Sequence, residues 1–166
     1  MESANHPSCL GCELRPRVFC DLPPQALRLF DQIKSISEYA RGATLFREGH
    51  PTRGIYILCR GRVRLSVSSD HGRRLLLRIA HPGEILGMSA CLSGSSYELT
   101  AEALDPLQVA FIRRKELLAF LRAHREACMQ VINLLSQDLH SAYERVRTLG
   151  WSRSRACTPS QSTRVQ

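Results

Sequence analysis

Ile55-Tyr56-Ile57-Leu58-Cys59, Arg60-Gly61 and Arg62-Val63-Arg64-Leu65-Ser66-Val67 read in succession as a strand, a tight turn and a returning strand in which basic and apolar residues alternate. Ser69-Asp70-His71-Gly72 makes a second turn, Arg73 to Ile79 a third strand, and Pro82-Gly83-Glu84 closes the hairpin series. Working outward, β-type runs occupy about residues 44 to 112. They are interrupted by Gly87 to Ser96, where small residues and Met88 predict a short helix and a loop. Pro23-Pro24 opens a predicted helix from Gln25 to about Ser35, whose Leu27, Phe30 and Ile33 would cap the β region. The whole is mainly β with flanking helices.

A short helix is expected over Arg114 to Arg122 and a long one from Arg125 to Leu149. On the long helix Cys128, Ile132, Leu135, Leu139, Ala142, Val146 and Leu149 are spaced four, three, four, three, four and three apart, a heptad seam. Such a strip either joins a partner helix or packs on the chain's own β layer. After Gly150 the composition changes. Ser152 to Gln166 holds only Ala156, Cys157 and Val165 as apolar residues, so a disordered tail is expected.

The chain has 166 residues, 43% of them hydrophobic, enough for one domain with an appendage. Its formal charge of +8 comes almost wholly from arginine and suits phosphate-bearing partners or a merely solvated basic surface. No apolar run is long enough to cross a bilayer, and Met1 to His6 lacks the features of a secretion signal, so a cytoplasmic location without membrane attachment is expected. Seven cysteines without that signal favour reduced thiols or metal ligands over a disulfide scaffold.

Catalysis has little to stand on. A β-roll can be a metal-dependent enzyme, but His50, His71 and His81 each fall in turns and no His-x-His occurs. Ser93 lacks the glycine two residues earlier that a nucleophile elbow needs, and His124 and His140 fall on the long helix. The chain is read as a non-enzyme.

Gly42, Leu45-Phe46, Glu48-Gly49, Ile55-Tyr56-Ile57-Leu58, Gly61-Arg62-Val63 and Pro82-Gly83-Glu84 follow one another in an order that resembles the sensor domain of the Crp/Fnr family of bacterial transcription regulators. The resemblance covers Leu22 to Leu149. It implies a cyclic-nucleotide-binding-type double-stranded β-helix, or jelly roll, followed by a long dimerisation helix. The implied division is a cysteine-rich segment over 1–21, the β-roll with capping helices over 22–122, the dimerisation helix over 123–150 and a disordered tail over 151–166. In the family the seam pairs with its copy in a second subunit, and a winged helix-turn-helix follows the hinge. Trp151-Ser152-Arg153-Ser154 sits where that hinge would begin, and no such DNA-reading pattern follows it. The expectation is therefore a sensor and dimerisation part, truncated before its DNA-binding domain. It would form a homodimer, or a heterodimer with a full-length regulator, and would reach DNA only through a partner-supplied domain. The alternative is a free-standing ligand-binding or dominant-negative interaction module.

The resemblance also locates an effector pocket at Gly83, Glu84, Gly87, Met88, Glu98 and Leu99. Nucleotide-binding members place there a glutamate for the ribose and an arginine for the cyclic phosphate; here Met88 and Glu98 stand in their places, with Leu99 for the neighbouring serine. A carboxylate in place of a guanidinium repels phosphate and removes a two-pronged contact, so cyclic AMP is not the expected ligand. Cys9, Cys12 and Cys20 make a CxxC followed by a third cysteine, a candidate three-thiolate clamp. Redox-sensing members hold an iron–sulfur cluster with such a group and a fourth cysteine in the roll. The matching strand position is Ala110, which leaves Cys91 or Cys59 as the fourth ligand. Zinc on the clamp with His6 or another cysteine, a disulfide switch, and no metal at all stay open beside it.

Overall fold

In the computed structural model the described residues are 22–69 and 72–154, with side chains described as far as Thr148. The chain divides into two compact units, Met1–Gln130 and Val131–Gln166. Within the described part of the first, eight strands form two antiparallel sheets: β1 (Lys34–Tyr39), β2 (Thr44–Phe46), β3 (Gly54–Arg60), β4 (Val63–Ser68), β5 (Arg74–Ala80), β6 (Ile85–Leu86), β7 (Thr100–Ala103) and β8 (Leu107–Arg113). One sheet runs β1-β8-β3-β6, the other β2-β7-β4-β5. Chain neighbours alternate between the sheets except at the β4–β5 hairpin, which lies within the second sheet. The helices are α1 (Pro24–Ile33), α2 (Met88–Ser93), α3 (Arg114–Ala123) and α4 (Arg125–Ser154).

In β3 the first five residues, Gly54 to Leu58, are all buried. Both faces of its sheet are covered. Tyr56 and Leu58 turn inward to a shared core with Leu65, Ala101 and Val109, while Ile55 and Ile57 lie on the opposite face, where α3 meets β3 and β8. Phe30 of α1 and Phe120 of α3, with ring centroids 5.3 Å apart, close that outer layer. The β3–β4 turn is set by Gly61 at φ 86°, where a Cβ atom would stand 2.6 Å from the Pro106 carbonyl oxygen. No L side chain fits that turn without strain.

Two element boundaries differ from the expectation. The first helix ends at Ile33 rather than Ser35, and Lys34–Tyr39 leaves it directly as β1, pairing Lys34↔Ile112 through Tyr39↔Leu107. Ser35-Ile36-Ser37 carries too little apolar pattern to announce a strand; the free edge of β8 supplies its hydrogen bonds. At the other end α4 runs to Ser154, so Trp151–Ser154, expected in the tail, is helical. A single Gly150 costs a helix only about 1 kcal/mol and does not stop it. The rest of the expected tail, 155–166, lies outside the described residues, as does the lead segment 1–21.

The edge strand β5 departs from simple alternation. Leu77 is the extra residue of a bulge between the Leu65↔Arg78 and Ser66↔Leu76 pairs. Leu75, Leu76, Leu77 and Ile79 are consequently 37–59% exposed on a sheet edge.

Candidate effector site

The Pro-Gly-Glu turn is bolted to β3. The Gly83 N–H donates to the Leu58 carbonyl at 2.7 Å, and the Leu58 N–H donates to the Glu84 carbonyl at 2.9 Å. The Glu84 carboxylate accepts the His81 N–H at 2.8 Å and an ion pair from the Arg78 guanidinium. Arg78 arrives from β5, and no local pattern of residues announces it here.

From this turn β6 leads to Gly87, whose left-handed φ of 80° starts α2; a Cβ there would lie 2.8 Å from the Tyr97 ring. Met88 and Cys91 of α2 are buried. The helix end is held by the Arg114 Nε–H, which donates to the Cys91 carbonyl at 2.7 Å, and by the Gly94 N–H to the Ala90 carbonyl at 2.9 Å. Burial pushes the Cys91 thiol up, only partly opposed by Arg114.

The loop that follows is pinned by Tyr97. Its ring stacks on Phe46 at 4.2 Å, its hydroxyl donates to the Gly54 carbonyl at 2.8 Å, and the same oxygen accepts the Arg53 N–H at 3.4 Å. Burial pushes the Tyr97 phenol up, and that of Tyr56 further. Tyr56 lies against Phe46 and Phe111, its hydroxyl donating to the Leu45 carbonyl at 3.2 Å. Nothing in the polar run Ser93-Gly94-Ser95-Ser96 announces that its next residue is a core ring.

The expected pocket residues therefore part company. Gly83 and Gly87 are structural pivots, and Met88 is core. Leu99 is half-buried against the core, and Glu98 is exposed. Among the described residues no cation stands between Gly83 and Leu107, and the one guanidinium brought to the turn comes from the other sheet.

Of the metal candidates, Cys9, Cys12 and Cys20 lie outside the described residues. Cys91 is buried within α2, and burial pushes its thiol up. Among the described residues no three His, Cys, Asp or Glu side chains are grouped to hold a metal ion. Ala110, at the strand position matched to a fourth ligand, is buried.

In the first unit Cys128 is half-buried, and its thiol donates to the Leu121 carbonyl at 3.1 Å, closing the end of α3. In the second unit Ile132, Leu139 and Val146 of the seam are 53–67% exposed, as is Tyr143. Leu135 is half-buried, Ala142 exposed, and the Leu149 side chain outside the described set. Tyr143 widens the stripe beside Ala142; the four-three spacing alone does not pick it out.

A two-sheet roll, a Pro-Gly-Glu turn feeding a short helix, and a long helix after the roll define a jelly-roll class of domain. Residues 36–124 match the family described as cyclic nucleotide-binding domain, and the chain belongs to that family. It is 27% identical over 143 residues to the nitrogen fixation regulation protein FixK of Bradyrhizobium diazoefficiens, covering 86% of this chain and 59% of that protein. It is 23% identical over 125 residues to the CRP-like cAMP-activated global transcriptional regulator of Mycobacterium tuberculosis, covering 75% and 56%. The crystal structure of the Thermus thermophilus catabolite activator protein superposes with a TM-score of 0.73 at 23% identity, over 84% of this chain and 65% of that one. The chain thus spans somewhat over half the length of these two curated relatives. The expected kinship with Crp/Fnr regulators and the jelly-roll architecture both stand. Among the described residues no helix is long and apolar enough to cross a membrane.

Proposed function

We propose that this chain is the sensory and dimerisation part of a Crp/Fnr-type transcription regulator, not an enzyme, and that it answers to a small effector or to redox state rather than to cyclic AMP. The observation that carries dimerisation is the exposed stripe of α4: Ile132, Leu139, Tyr143 and Val146 cost free energy in water that a second copy of the helix removes. The reading against cyclic AMP is supported by Glu98 facing solvent and Met88 standing in the core, where nucleotide binders need an arginine and a glutamate. A redox role falls to Cys9, Cys12 and Cys20, with an iron–sulfur cluster or zinc as the group held. The signal reaches DNA through a module outside these residues, including one supplied by a full-length partner regulator.

The test is sedimentation of the double variant Leu135→Lys, Leu139→Lys beside the unaltered chain, with a circular dichroism spectrum to show that both are folded. A dimer that becomes a monomer supports the reading, and a dimer unchanged by two seam charges refutes it. Anaerobic purification with iron, zinc and sulfide analysis tests the clamp: a colourless, metal-free protein leaves the thiols without a metal role.

A further inference from the structure

Arg78 is an arginine on the wrong side of its sheet for a solvated cation. Its register partner is Leu65, which pairs in turn with Ala101, and both are buried on the inner face of the β4–β5–β7 layer. The neighbouring inner-face residues Val63, Ala80 and Ala103 are buried and apolar too. The other strand arginines, Arg60, Arg64, Arg74 and Arg113, are all exposed. The Arg78 side chain is 26% exposed, enclosed yet reachable from solvent.

Glu84 accounts for only part of its hydrogen-bonding capacity. The ion pair engages Nη1 alone, so Nε and Nη2 have no hydrogen-bond partner among the described residues. Glu84 is itself fixed by the His81 N–H, which orients the guanidinium without using the two-pronged edge that suits a carboxylate or phosphate.

We infer that Arg78 is the anion-recognising group of the effector site, and that it takes a small ligand through one terminal carboxylate or phosphate head. This deepens the effector-sensing reading and rests on it. The two heads share the same chemistry at the guanidinium. An anion here also sits beside the Glu84 carboxylate, so occupancy loosens the Arg78–Glu84 pair and with it the turn bolted to β3.

Calorimetric titration of the intact chain with octanoate, octyl phosphate, neutral octanol and cyclic AMP tests the inference. The expected result is saturable binding of at least one alkyl anion, with octanol weaker by about tenfold or more. Arg78→Gln should weaken the anion by a similar factor, Arg78→Lys by less, and Glu84→Gln should leave it unchanged or tighter. Thermal unfolding of each variant shows whether it folds, and Arg78→Lys keeps the comparison open if Arg78→Gln does not. Absence of saturable binding by both anions, equal binding of octanol, or anion binding indifferent to both Arg78 variants overturns the inference. Cyclic AMP binding untouched by Arg78→Gln, with the alkyl anions silent, sinks the inference and the exclusion of cyclic AMP with it, while leaving ligand sensing by the roll in place. A monomeric wild-type chain strikes at that broader reading instead.

Discussion

Replacing Tyr97 separates what its ring and its hydroxyl each contribute to the loop that follows α2. The hydroxyl makes one buried hydrogen bond to the Gly54 carbonyl at 2.8 Å and accepts a longer one from the Arg53 N–H. Tyr97→Phe removes both at little change in volume, which costs about 1 to 2 kcal/mol because the Gly54 carbonyl loses a buried partner. The ring is 4% exposed, stacks on Phe46 at 4.2 Å and fills the space beside Gly87. Tyr97→Ala therefore empties a core site and costs about 3 to 5 kcal/mol. Urea unfolding followed by circular dichroism, with the slopes compared to show that the same surface is exposed in each variant, measures both losses. Tyr97→Ala no more damaging than Tyr97→Phe, or either within about 0.3 kcal/mol of the unaltered chain, would refute the view that this ring anchors the loop.

Two further predictions follow from the core and its turns. Burial raises the Tyr56 phenol in the folded state above the unfolded value of about 10, so the unfolded chain gives up that proton first. Its stabilising contribution is complete below about pH 10 and is lost as the pH climbs from there through the folded value, by up to about 1.4 kcal/mol per pH unit. Alkaline unfolding of Tyr56→Phe beside the parent should show a shallower decline above pH 10, and identical slopes would remove Tyr56 as the cause. Gly61→Ala forces a side chain into a left-handed position 2.6 Å from the Pro106 carbonyl oxygen, so a loss of about 2 kcal/mol or more is expected in thermal or urea unfolding.

The β-roll was legible because its signals are local. Gly61, Gly72 and Gly83 mark turns between runs whose apolar content and length suit strands, and all three have positive φ. The long helix was legible for the same reason, its spacing being a property of the chain alone. The strand β1 was not: Ser35-Ile36-Ser37 becomes a strand only because β8 offers it an edge. Nor was the divergent fate of the expected pocket residues. Adjacent positions such as Glu98 and Leu99 part to solvent and core according to how the loop is hung from Tyr97, and Tyr97 is held by Gly54 and Phe46, more than forty residues away in the chain.

The sequence by itself determined the order of the strands and turns after β1, the kinship with a sensor family and the absence of a cation where nucleotide binders carry one, since each of these is written in short-range spacing and residue type. Only the tertiary structure decided which groups meet at the site. Arg78 reaches the Pro-Gly-Glu turn because a one-residue bulge at Leu77 sets the register of β5, and a shift of one residue would have turned that guanidinium to the other face.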